Sequence, residues 1–123
     1  MAMRLPTKEA SRLKRPREEK PDHLTFIRSL PCAVCYGFKC GPSEAAHVRA
    51  ENLCYAKRNS GLGAKPDDSW AVPLCHAHHM EQHAGNEMNF WAEYQIDPFI
   101  LALALWKHTG DLEAALIVLE NAR

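Results

Sequence analysis

The stretch Val72-Pro73-Leu74-Cys75-His76-Ala77-His78-His79-Met80-Glu81-Gln82-His83 decides how the chain is organised. Four of the seven histidines fall within the eight residues 76–83, beside a cysteine. Neutral imidazole and thiolate are the side chains that transition metals prefer. Val72 to Leu74 reads as the end of a short strand that begins at Trp70. The residues after it suit a helix from His76 to about Ala84, with Gly85 at its end. On a helix, residues four apart share a face, so His79 and His83 point the same way. His78 lies about 100° round from His79 at ~3.6 residues per turn. One segment then serves two metals, a zinc through Cys75 and His78 and a second ion through His79 and His83. The competing reading is a polar surface helix that happens to be rich in histidine. It does not account for the cysteines upstream.

Those cysteines form Cys32-Ala33-Val34-Cys35, a Cys-x2-Cys turn that brings two thiolates onto one ion. Taken alone it also suits a redox pair. With Cys75-x2-His78 it makes two half-sites of a structural Cys3His zinc: Cys32, Cys35, Cys75 and His78. Whether Cys40 or His76 replaces one of these ligands stays open. Cys54 has no partner by spacing and is expected to be small and buried or half-buried.

Working outward, Asp22 is placed to cap a helix over 23–30, with Leu24, Ile27 and Leu30 on one face and Pro31 stopping it. His23 reads as a surface residue near the helix start. Glu44-Ala45-Ala46-His47-Val48-Arg49 reads as a short extended segment in which His47 and Arg49 alternate onto one side. A lone histidine is usually structural or merely exposed. Residues 50–69 form a long irregular connection carrying Lys57, Arg58 and Lys65, cations suited to phosphate contact or simply to a solvated loop. Phe90, Trp91 and Tyr94 supply aromatic packing. Asp97-Pro98 caps and starts a helix to about His108, and Asp111 caps a last one to about Asn121. Both helices are apolar over most of their surface, so they are expected to pack on each other, on the core, or on a second copy or partner protein.

The chain's 123 residues suit one domain, and at 46% hydrophobic it buries a small core that a structural metal would help. Formal net charge is zero, but residues 1–20 carry seven Lys/Arg against three acids, a net +4, which leaves −4 for the rest. A basic arm over 1–21 fits a polyanionic partner or a solvated, disordered tail. The N-terminus shows no apolar signal region, and the longest apolar run, Pro98 to Trp106, is far short of the ~20 residues of a membrane span. An odd cysteine number, patterned for metal, points to a reducing, cytoplasmic compartment.

In order, Leu30-Pro31-Cys32-x2-Cys35, Glu44-Ala45-Ala46-His47-Val48-Arg49, Lys65-Pro66-x-Asp68 and Val72-Pro73-Leu74-Cys75-x2-His78-His79-x3-His83 resemble the HNH endonucleases, also called ββα-metal or His-Me finger nucleases. The likeness is nearest to the small zinc-containing ones of phages and prophages. It implies a small α+β fold: a ββα-metal core over 22–96 stabilised by the Cys3His zinc, flanking helices, and a C-terminal helical hairpin over 97–123. It implies metal-dependent hydrolysis of DNA phosphodiester bonds, with His47 as general base and a backbone carbonyl on its other nitrogen. His79 and His83 become ligands of a catalytic Mg2+, Mn2+, Ni2+ or Zn2+ ion. Arg49, Lys57, Arg58 and Lys65 become candidates for DNA contact. Two departures stand out. Ala46 occupies the place of a common acidic ligand, and Trp70 falls near the middle Asn. Asp68 then either serves as a ligand or orients His47. The alternative is a non-catalytic, zinc-stabilised nucleic-acid-binding module. A zinc peptidase would need Glu directly after His79, where the chain has Met80.

Overall fold

A computed structural model describes residues 18–36, 40–55, 57 and 66–122. The basic arm up to residue 17, together with Arg58 and Lys65, lies outside the described residues. Helix α1 spans Pro21–Arg28, strand β1 Ser43–His47, and strand β2 Ala71–Cys75. Helices α2 (His76–Ala84), α3 (Glu87–Glu93), α4 (Pro98–Lys107) and α5 (Leu112–Glu120) follow, with single 3₁₀ turns at Leu53–Tyr55 and Asp68–Trp70.

The sheet has two antiparallel strands, β1 and β2, in a register that pairs Ser43 with Cys75 and His47 with Ala71. Proline is tolerated at position 73 because each strand of a two-stranded sheet has a free edge. The Pro73 carbonyl instead accepts the N–H of Ala33 at 2.9 Å, which ties the Cys-x2-Cys turn to the sheet. All five residues of β2 are buried. Its apolar sequence follows from that, since α1 and α4 both pack on it. The core is built from Ile27, Leu30, Val72, Leu74, Trp91 and Leu105, all at 2% exposure or less. The fold is a small α+β arrangement, and among the described residues no helix is long and apolar enough to cross a membrane.

Helix boundaries follow local chemistry, with three departures from the sequence reading. Helix α1 starts two residues early because Pro21 occupies its first turn, where its fixed φ suits a helix. Asp22 is then in the first turn, where a carboxylate favours the helix dipole, and the cap position falls to Lys20. The second strand begins one residue late, after the 3₁₀ turn. Helix α3 was not expected. It is short, but Asn86 caps it by accepting the Asn89 N–H at 3.0 Å. At the other end of the chain Asp97 and Asp111 cap α4 and α5 as read, and Gly110, with φ of +89°, turns the chain between them. Ile100, Leu103, Trp106 and Ile117 remain exposed on this pair.

His23 corrects a further expectation: it is buried, not at the surface. Its Nδ1 lies 2.7 Å from Thr109 Oγ1, and that hydroxyl donates its proton to the Trp106 carbonyl at 2.8 Å. With the hydroxyl proton on that carbonyl, Nδ1 donates, and Nε2 is buried with no hydrogen-bond partner among the described residues. Burial pushes the His23 pKa down, against a smaller opposing pull from Asp68. Below the ordinary histidine pKa, the unfolded chain takes up a proton that the folded chain resists, so stability falls as pH drops through that range. A thermal melt series from pH 7 to pH 5.5 should show a shallower fall in Tm for His23→Leu than for wild type. Parallel curves would mean that His23 does not titrate on unfolding.

Candidate metal and histidine sites

The cysteine knuckle, the end of β2 and the start of α2 converge on one point. His78 Nδ1 lies 3.7 Å from Cys32 Sγ, 3.4 Å from Cys35 Sγ and 3.2 Å from Cys75 Sγ. Four tetrahedral ligands around zinc, with sulfur at ~2.3 Å and nitrogen at ~2.05 Å, place S and N about 3.6 Å apart. All four donor atoms lie within 4.8 Å of one another, so Cys32, Cys35, Cys75 and His78 can hold a metal ion in the manner of a structural zinc. The Cys35 N–H points at Cys32 Sγ, 3.5 Å away, as a knuckle requires. Burial pushes the Cys75 thiol pKa up, and backbone N–H groups of His78 and Ala77 oppose it. Tyr94 sets its ring edge-on to His78, 5.5 Å between centroids, and donates to Glu81 at 2.9 Å. Burial, then Glu81, raise its pKa to about 12.

Cys40 brings a fourth sulfur to this corner, in disulfide contact with Cys35. A sulfur in a disulfide is not a thiolate ligand, so the Cys3His set requires Cys35 reduced. Cys54 is exposed, not buried or half-buried as read, because the 3₁₀ turn that carries it faces solvent.

At the end of β1, His47 Nε2 and Asp68 Oδ1 are 2.8 Å apart. The pair is enclosed, with side-chain exposures of 11% and 2%. The other Asp68 oxygen accepts the Lys20 N–H at 2.7 Å. Asp67 accepts the Glu18 N–H at 2.8 Å, so residues 18–20 run along the 3₁₀ turn and hold Asp68 in place. The residue the resemblance left undecided thus stands against His47.

Helix α2 carries His76, His79 and His83 along one stripe. The His79 and His83 rings are 5.0 Å apart, which follows from i,i+4 spacing. Partial desolvation, then His79, push the His83 pKa down. Glu44 on β1 reaches this stripe, with Oε1 at 2.8 Å from His79 and Oε2 at 3.0 Å from His76. Those contacts, with that to His79 foremost, hold its carboxyl below the usual glutamate range. Among the described residues, the Cys3His set is the group of three or more donors drawn together; Asp68 is not gathered with His79 and His83.

Glu87, at the first position of α3, collects four donors. These are the Arg49 N–H at 3.0 Å, the Ala50 N–H at 3.1 Å, Gln82 Nε2 at 2.9 Å and Trp91 Nε1 at 3.1 Å. Gln82 Nε2 also donates to the His47 carbonyl at 3.1 Å. The chain leaving β1 is thereby bound to α2 and α3 right after His47. Each buried donor left without a partner costs about 1–3 kcal/mol, and water would recover part of that. Glu87→Ala is therefore expected to lower stability by about 2–4 kcal/mol in urea unfolding, and a loss under about 0.5 kcal/mol would show the network to be incidental.

The cations fall less neatly. Arg49 is half-buried with its backbone on Glu87. Lys57 points inward, with Nζ 5.6 Å from the Trp70 ring centroid and no hydrogen-bond partner among the described residues, and burial lowers its pKa. Glu44, Gln82 and Glu87 were not singled out as site residues. Their roles arise from contacts between β1 and the α2–α3 segment, more than thirty residues apart for Glu44 and His79.

Fold and donors together define a small α+β chain with a Cys3His cluster able to hold zinc. Residues 5–109 match the family model described as "Protein of unknown function (DUF968)", and the chain belongs to that family. No curated protein and no solved structure matches it.

Proposed function

We propose that the protein is a metal-dependent DNA endonuclease of the HNH kind, with a structural zinc in Cys32, Cys35, Cys75 and His78. The observation that carries the reading is the enclosed His47–Asp68 pair at the end of a strand, 2.8 Å from nitrogen to oxygen. An ionised Asp68 only accepts, so at this contact His47 donates from Nε2, and the carboxylate serves where the resemblance implies a backbone carbonyl. Asp68 orients the ring and stabilises the imidazolium that forms, the role a buried aspartate plays beside a catalytic histidine. His47 takes the proton of the water that attacks the scissile phosphate, and near pH 7 a neutral imidazole suits that task. The antiparallel β1–β2 pair followed by α2 supports the ββα part of this reading.

His79 and His83 would hold a divalent ion, whose charge stabilises the phosphate and leaving oxygen. Their i,i+4 spacing and the Glu44 contact support this part of the reading. The basic arm, Arg49, Arg58 and Lys65 remain the proposed DNA contacts, without the buried Lys57, and the apolar outer face of α4 and α5 the proposed seat of a second copy or partner protein. Purified zinc-loaded protein should nick supercoiled plasmid DNA in Mg2+, Mn2+ or Ni2+ and not in EDTA. Intact plasmid under every ion would reject the nuclease.

A further inference from the structure

Glu44 lies opposite Leu74 in the strand register, beside the first turns of α2. Its two oxygens are divided between two rings, Oε1 at 2.8 Å from His79 Nδ1 and Oε2 at 3.0 Å from His76 Nδ1. An ionised carboxylate only accepts, so at both contacts the imidazole donates. Each ring then carries its proton on Nδ1 and its lone pair on Nε2. The constraint is firmer on His79, whose side chain is 23% exposed, than on His76 at 75%. His83, one turn further on, places its ring 5.0 Å from that of His79.

We propose that Glu44 is a positioning residue for a divalent-ion site on α2, fixing His79 as the Nδ1–H tautomer so that Nε2 is its donor nitrogen, with His83 as fellow ligand. The inference rests on the reading of His79 and His83 as ion ligands and adds the residue that prepares one of them. Histidines that bind metals commonly give their other N–H to a carboxylate, which fixes the ring and raises its basicity. Glu44 supplies that partner from the neighbouring strand. Asp68 is engaged elsewhere, by His47 and the Lys20 N–H.

Two measurements test this on zinc-loaded protein. Long-range nitrogen–proton NMR without a second ion should find His79 as the Nδ1–H tautomer in wild type, and Glu44→Ala should lose that preference. Calorimetric titration with Ni2+ should show Glu44→Ala binding about 10–100-fold more weakly than wild type. Glu44→Gln, whose side-chain oxygen still accepts, should recover most of the loss, and His76→Ala should change little. An Nε2–H tautomer at His79 in wild type, or equal nickel affinity with and without Glu44, overturns the role of Glu44 and leaves the ion site standing. Wild type that binds no nickel, or binds it equally well as His83→Ala, overturns the ion site and the role of Glu44 with it.

Discussion

Cys75→Ala should lose one tightly held zinc ion and unfold the region from the Cys32 knuckle to α2. Cys75 is buried at the junction where β2 ends and α2 starts, so its sulfur links both elements to the knuckle. The core beneath is small, and a structural zinc contributes about 10–16 kcal/mol of apparent binding free energy, all of it lost when the ligand set fails. Folded stabilities are only ~5–15 kcal/mol, so the loss is of the same size as the whole. Cys32→Ala should behave alike, because its sulfur faces the same nitrogen of His78 from the Cys-x2-Cys turn. Zinc content by mass spectrometry and thermal melts decide the matter. Wild-type zinc and wild-type melting in both variants would remove the Cys3His site. The same pair of measurements on Cys40→Ser tells whether the fourth sulfur, which lies against Cys35, is needed.

The zinc donors were legible because their chemistry is written in local spacing. Cys32-x2-Cys35 and Cys75-x2-His78 each fit one turn of chain, and two such half-sites close on one ion. The helix starting at His76 was legible from periodicity, and those after Asp97 and Asp111 from their caps. What could not be read is whatever depends on contacts across the fold. His23 looked like a surface residue because its burial depends on Thr109 and Trp106, more than eighty residues away. Lys57 looked like a phosphate contact because a lysine in a loop usually faces water, yet here Trp70 covers it. Glu44 sits in a segment already quoted as a motif, but its partners are set by the strand register, and those of Glu87 by how α2 and α3 pack. Asp68 was narrowed to two roles from the sequence, and only its approach to His47 places it beside that ring.

His47→Ala should abolish strand cleavage while zinc and DNA binding persist, provided the protein is assayed where it is folded. The general base is worth roughly 10²–10⁴-fold in rate, or about 3–5 kcal/mol of barrier. The variant also leaves buried Asp68 without its histidine, which costs about 1–3 kcal/mol of stability and would lower activity for a trivial reason. His47→Gln separates the two effects. Its amide can still donate to Asp68 but holds no basic nitrogen, so it should melt near wild type and still not cut. His83→Ala should lose cleavage differently, by weakening the proposed ion site, so excess divalent metal should restore it in part. The same excess should do nothing for His47→Gln, whose missing group is a base rather than a ligand. Cleavage by His47→Gln within a few-fold of wild type would take His47 out of the mechanism. DNA binding without cleavage in wild type, under every ion, would make the chain a zinc-stabilised binding module instead.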